Sequence, residues 1–325
     1  MGKVGTSLVV FTTLTGLIWG GWLVGSQTPE GQEALARAYK DFKTDKAEQY
    51  DRDFFAENAL RVFVCGEGGL LDSLPAKPCL AVSAGGKLFI IDAGSGAAAA
   101  LEKVGMPLNR LQAVLLTGAD TMRSGDLDEL WALSSAQRMD AKLPVYGPAD
   151  SKRVVEGLNK VNGVDGLEAW APAPAPGEPV IVHKDNALEI LAYTTEQDAF
   201  SGRVGYVFSY RGRVLTIAPN GSAAWAAAAP GHTDVLLQSS VEDAFAELHN
   251  PDTTNMMAGL QQFAQAASDA RAETLVLANA GESPIVKEMS RRVAQDAGVE
   301  NVVAGSKGMM FELPLENRDV NVRRL

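Results

Sequence analysis

Histidine and cysteine are the residues this chain has least of: three histidines (His183, His232, His249) and two cysteines (Cys65, Cys79) in 325 residues. Most zinc sites are assembled from these two residue types, so little material for a zinc centre is on hand. Basic charge is also short, with 29 Lys and Arg against 40 Asp and Glu, a net charge of −11. Phosphate backbones need a basic face, and this balance argues against nucleic acid as a partner. What is present is ordinary for a globular protein, 46% hydrophobic and 21% charged residues. That composition excludes global disorder, and the length suffices for one large α/β domain or two small ones.

Ser7–Gly25 runs nineteen residues without a charge, close to the roughly 20 that cross a bilayer as a helix. Lys3 precedes it while Glu30 and Glu33 follow, so the positive-inside rule puts the N-terminus in the cytoplasm. Residues 1–26 are read as an uncleaved single-pass anchor in a bacterial-type inner membrane, with the C-terminal domain in the periplasm. A cleaved signal peptide ending near Val24-Gly25-Ser26 is the alternative. Either way the rest of the chain is exported. Gly16, Gly20, Gly21 and Gly25 carry G-x-x-x-G spacings that allow close helix packing.

Residues 27–58 are polar, with Ala34, Leu35, Ala38, Tyr39 and Phe42 at helical spacing, which predicts a helical stalk or a partner-docking helix. Residues 59–325 form the domain. Arg61–Gly66 reads as a strand, Cys79–Gly94 as a hairpin turning at Gly85-Gly86, and Val204–Tyr210 with Arg213–Ile217 as a hairpin at Arg211-Gly212. Helices are expected over Ala97–Val104, Leu127–Ser134, Ser151–Lys160, Thr253–Ala270 and Ser283–Ala297. Ala171–Pro179 is a proline-rich surface loop. Hairpins followed by β–α alternation, twice over, suit an α/β fold, a four-layer αββα sandwich. Within it the apolar run Leu111–Leu116 breaks into the polar loop Thr117–Leu127, T-G-A-D-T-M-R-S-G-D-L, where α/β proteins place chemistry.

The segments V-F-V-C-G-E-G-G, L-F-I-I-D-A-G, L-N-R-L-Q-A-V-L-L-T-G-A-D-T-M-R-S-G-D-L, L-P-V-Y-G-P, G-Y-V-F-S-Y-R-G-R-V-L-T-I and A-E-T-L-V-L-A-N occur in this order. Together they resemble the metallo-β-lactamase fold superfamily, in particular its ribonuclease Z and arylsulfatase-like branch, over about residues 60 to 305. The resemblance implies a H-x-H-x-D-H metal motif after Thr117. Its positions fall on Gly118, Asp120, Met122 and Arg123, of which Asp120 alone is a metal donor. A histidine position falls near Gln197–Ala199, the bridging aspartate on Pro219, and the last histidine on Asn279. The resemblance thus implies a member without the family's metals, and no cofactor is expected. Zinc or another divalent metal is the alternative.

The residual polar set is Asp92, Asp120, Arg123 and His249, the last resembling by position a histidine that aids ribonuclease Z catalysis. Arg123 is expected to stand in for the missing ions and neutralise Asp120 and Asp92. Asp120, Asp126, Asp128 and Glu129 offer a hard-cation alternative, against which helix-dipole placement at a first turn suffices. In this fold the strands carrying Cys65 and Cys79 are neighbours, so a disulfide is expected, with two buried free thiols as the other reading. The functional expectation is an inactive, membrane-anchored binding or structural subunit of a membrane complex. The alternative is an exported metal-dependent hydrolase with a divergent or single-metal site. A small-molecule binder using the emptied cleft is a third reading.

Overall fold

A computed structural model of the chain describes residues 28–68, 77–138, 142–170, 174–194, 202–219, 232–239, 253–278, 280 and 283–324. The expected membrane span at Ser7–Gly25 lies outside them. Among the described residues no helix is long and apolar enough to cross a membrane. The chain divides into two units, Met1–Tyr50 and Asp51–Leu325. The stalk expected at 27–58 contains a helix, α1 (Pro29–Asp53), which opens with Thr28 Oγ1 accepting from Gly31 N at 3.1 Å. Its sequence is polar overall, and its described side chains are largely exposed, as suits a solvated helix.

The second unit is a sandwich of two sheets. The first has eight strands: β1 (Ala59–Val64), β2 (Leu80–Ala84), β3 (Lys87–Ile91), β4 (Leu111–Leu115), β5 (Leu143–Tyr146) and β6 (Leu167–Ala169), then β14 (Met309–Pro314) and β15 (Asn321–Arg324). Their order is β15-β14-β1-β2-β3-β4-β5-β6. The second has seven: β7 (Val180–Lys184), β8 (Leu188–Tyr193), β9 (Gly205–Tyr210), β10 (Arg213–Ala218), β11 (Val235–Gln238), β12 (Thr274–Leu277) and β13 (Asn301–Ala304), in the order β13-β12-β11-β10-β9-β8-β7. Strands β6, β14 and β15 have no counterpart in the elements expected from sequence. The last two return the C-terminus to the first sheet, beside β1.

Leu60, Val62, Val64, Val82, Phe89 and Leu115 of the first sheet pack into one core with Ile190, Tyr206, Phe208, Leu215 and Leu237 of the second. Every residue of β1 is buried, including the alternate set Ala59, Arg61 and Phe63. Both faces of that strand are therefore covered, as a helix-flanked sheet requires. The second sheet buries Leu236, Leu275 and Leu277 against α6 (Thr253–Asp269) and α7 (Pro284–Asp296), through Leu260, Phe263, Val286 and Val293. Helices α2 (Ala97–Val104), α3 (Thr121–Ser124), α4 (Leu127–Arg138) and α5 (Ser151–Asn162) follow strands of the first sheet. The hairpin turn between β2 and β3 needs left-handed backbone at both positions, which Gly85 (φ 57°) and Gly86 (φ 73°) supply.

Strand directions define two ends. β3, β4 and β5 run parallel, so their C-terminal residues share one edge. The end of β10 meets the same edge: Ile217 pairs with Tyr206, whose hydroxyl donates to the Leu116 carbonyl at 2.8 Å. Val204 N also donates to Thr117 O at 3.0 Å. This is where the resemblance places the family's cleft, hence the cleft end. The starts of β10, β11 and β12 and the β14–β15 connection lie at the far end.

Candidate functional site

At the cleft end, Asp92 directly follows β3 and takes a left-handed backbone (φ 57°), rare for a side chain other than Gly, Asn or Asp. It is fully buried, and its two oxygens accept from Thr117 N and Thr117 Oγ1, both at 2.7 Å. The carboxylate therefore straps the end of β3 to the end of β4. Burial pushes its pKa up to about 6, despite the opposing pull of Arg123 and of the Thr117 hydrogen bonds.

Asp120 caps α3, accepting from Met122 N at 3.0 Å through Oδ1. Its Oδ2 accepts from Arg123 Nη1 at 2.8 Å and from Arg203 Nη1 at 2.5 Å. Partial burial would raise its pKa, but the two guanidinium groups outweigh that and hold it below the ordinary carboxylate range. Arg123, buried, also donates from Nε to Thr117 Oγ1 at 3.0 Å. The set is thus a relay: Asp92 to Thr117, Thr117 to Arg123, Arg123 to Asp120, Asp120 to Arg203. Arg123 touches Asp120 directly and faces Asp92 across Thr117.

Gly118 shows how the space is filled. A Cβ there would stand 2.0 Å from Arg203 Nη1, 3.0 Å from Arg123 Cδ and 3.1 Å from Asp120 Oδ2. A guanidinium lies where a side chain at position 118 would begin. Among the described residues here, Asp120 faces two permanent cations, Asp92 is spent on Thr117, and no neutral nitrogen donor stands beside them, a set that does not fit a divalent ion. Met122 is half-buried, and Pro219, just past the end of β10, is buried without any donor. Asn279, His249 and Gln197–Ala199 lie outside the described residues.

Arg203 is the residue that sequence reasoning missed. The signal open to it was an arginine close to where the resemblance places a metal-ligating histidine. Asp126 has a partner beyond its own helix. Its Oδ2 accepts from Gly96 N at 2.8 Å and Ala98 N at 3.1 Å, so it closes the N-terminus of α2 while standing at the start of α4. Asp128 accepts from Glu129 N and from Asn162. Asp120, Asp126, Asp128 and Glu129 therefore do not gather around one point. Cys65 and Cys79 form a disulfide, with Cα atoms 5.0 Å apart.

One group among the described residues runs against the expectation of no metal: His232, Asp234 and Glu273, whose donor atoms lie within 4.8 Å of one another. His183, on β7, pairs at 3.1 Å with Asp185, just past the end of that strand.

No family model matches the chain. A stretch of 111 residues, 33% of the chain, is 31% identical to a protein described as ribonuclease Z from Mycolicibacterium gilvum (strain PYR-GCK), and spans 38% of that protein. Among solved structures, the metallo-β-lactamase fold protein YhfI from Bacillus subtilis superposes with a TM-score of 0.54 at 14% identity, over 78% of this chain and 99% of its own. A diphosphatase from the PhnP family gives 0.52 at 14% identity, over 79% and 98%. Zn2+-bound PqqB from Methylobacterium extorquens gives 0.51 at 16% identity, over 76% and 98%. The chain has the metallo-β-lactamase fold.

Proposed function

We propose that this is an exported, membrane-tethered metallo-β-lactamase-fold protein that does not hydrolyse, and that it serves as a binding or structural subunit of a membrane complex. The observation that carries the reading is the pair of guanidinium groups on one oxygen of Asp120, at 2.8 and 2.5 Å. Hydrolysis by a metal-activated water needs neutral or anionic donors converging on the ion. Gly118, Met122 and Arg123 supply none, and fixed cations repel one. The Cys65–Cys79 disulfide accords with an oxidising compartment such as the periplasm. The uncharged stretch Ser7–Gly25 supplies the tether. A net charge of −11 weighs against nucleic acid as a ligand.

A second reading, an exported hydrolase using zinc or another divalent ion at a divergent site, is favoured by the partial likeness to a ribonuclease Z and by the His232 group. Metal analysis of the purified full-length chain, with phosphodiester and carboxylester assays, separates the two. No hydrolysis, and no metal that depends on Asp120, is expected. Stoichiometric metal lost together with a hydrolase activity in Asp120→Ala would sink the non-hydrolytic reading. Isolation from mildly solubilised membranes tests the subunit role: a defined complex is expected, and a chain that runs alone would remove that part.

A further inference from the structure

We propose that His232, Asp234 and Glu273 form a binding site for a single divalent transition-metal ion, zinc foremost, at the far end of the sandwich, away from the Asp120 cleft. His232 and Asp234 stand immediately before β11, and Glu273 immediately before β12. Because those strands pair in parallel, their starts lie side by side. His232 Nε2 is 3.5 Å from Asp234 Oδ1 and 3.6 Å from Glu273 Oε1. Two donors on one tetrahedral zinc stand about 3.3–3.5 Å apart, the edge that follows from bonds of about 2.0–2.1 Å. The imidazole thus already stands at ligand spacing from both carboxylates. His232 and Glu273 are both partly exposed, so a metal can enter and both can close on it.

The shell behind these donors is built. Asp234 is completely buried, and its other oxygen, Oδ2, accepts from Val214 N at 2.6 Å and faces Arg213 Nε at 3.2 Å. A ligating carboxylate held through its second oxygen is the arrangement that orients metal ligands. One nitrogen and two carboxylate oxygens are a donor set suited to zinc and its neighbours, and hard enough to leave water in the remaining position. On Oδ1 the present cation is Arg318, whose Nη1 donates at 2.9 Å from a side chain 59% exposed. A divalent ion must replace it there, and an arginine that exposed is replaced at little cost. Arg318 is therefore a competitor for the site, in contrast to the buried Arg123 of the cleft.

The test is zinc titration of the full-length chain, purified without a histidine tag, against a chromophoric chelator, with thermal melts to verify folding. One saturable zinc per chain is expected in the wild type. His232→Ala and Glu273→Gln should each weaken it at least about tenfold, while Arg318→Ala should tighten it about two- to fivefold by removing the competing cation. Both ligand substitutions are at partly exposed positions, so they leave the buried Asp234 in place. No saturable zinc in the wild type, or zinc unaffected by His232→Ala and Glu273→Gln in folded protein, overturns the site. Zinc that survives those two changes but is lost in Asp120→Ala overturns it too, and moves the metal to the cleft, against the non-hydrolytic reading. Loss at His232 with retention in Asp120→Ala supports the site and leaves that reading intact.

Discussion

Each end of the sandwich sets a carboxylate between two arginines. At the cleft end, Arg123 and Arg203 share one oxygen of Asp120, a residue 37% exposed. At the far end, Arg213 and Arg318 take opposite oxygens of Asp234, which is 0% exposed. Both carboxylates are bracketed by cations, but the surroundings differ. In the cleft both guanidinium groups are mostly enclosed, one occupying the space left by Gly118, and no described residue offers a neutral nitrogen. At the far end one arginine is enclosed and the other solvated, with an imidazole and a second carboxylate beside it. Competence for a metal follows from a neutral donor and a displaceable cation, and a carboxylate alone does not confer it.

The largest effect should come from the enclosed arginine of the far end. Arg213 donates to the carbonyls of Pro314, Asn317, Arg318 and Asp319 as well as facing Asp234. Arg213→Met leaves a buried carboxylate with Arg318, one backbone N–H and the His232 imidazole at 3.5 Å, and should cost about 3–5 kcal/mol in urea unfolding. A loss below that of Arg123→Ala would break the contrast, because Asp234 would then be no more dependent on its arginine than the exposed Asp120. Next, the cleft end is cross-linked where the far end is not. Cys65 and Cys79, 14 residues apart, close a loop that ends where Gly94 N donates to Pro78 O. Replacing both cysteines with alanine should cost about 3 kcal/mol in the same assay. An unchanged midpoint would mean that packing alone holds that end.

The same two ends mark what the sequence discloses. The D-A-G after an apolar strand, the turn at Arg211-Gly212 (φ 46° and 87°) and the loop after Leu116 were all legible. Each is a local pattern of alternation or turn chemistry. Arg203 meets Asp120 across 83 residues, and Asp126 reaches Gly96 across 30. Contacts of that kind leave no periodic trace, so sequence alone does not bring Arg203 to Asp120 and ties Asp126 to its own helix. Strand β14 was missed for a related reason. Its place beside β1, sealed by Arg61 and Glu312 at 2.6 Å, is set by a partner 251 residues away. Glu273 likewise joins His232 only through the pairing of β11 with β12.

Within the cleft, the two carboxylates respond to pH with opposite signs. The folded pKa of Asp92, about 6, exceeds the ordinary 3.8. Between those values the folded chain keeps a proton that the unfolded chain has released, so stability falls as pH rises from about 4 to 6. The full penalty, on the order of 2–3 kcal/mol, is present above that window. Asp120 is held low, so its contribution is present above the ordinary pKa and lost as pH falls through the folded one. Asp92→Asn keeps an acceptor for Thr117 N, reverses the bond to the Thr117 hydroxyl so that the amide donates to Oγ1, and so stands in for the protonated carboxyl. It should therefore be more stable than wild type at pH 7, with the difference closing toward pH 4. A difference that stays constant across that range would show that the Asp92 proton is not what is measured.

The smallest effect isolates the filled space itself. Arg203→Ala removes one of two cations from a carboxylate that is 37% exposed, and should cost about 0.5–1 kcal/mol. Gly118→Ala in the wild type pushes a methyl group against Arg203 Nη1, while the next neighbours stand a full ångström further off. The arginine must then swing aside and give up Asp120. In the Arg203→Ala background that obstacle is gone, so the alanine should be tolerated better. The double-mutant cycle should show a coupling of about 0.5–1 kcal/mol. Additive losses would mean that Arg203 does not fill the position beside Gly118, and with it would go the main physical difference between this cleft and one shaped for ligands.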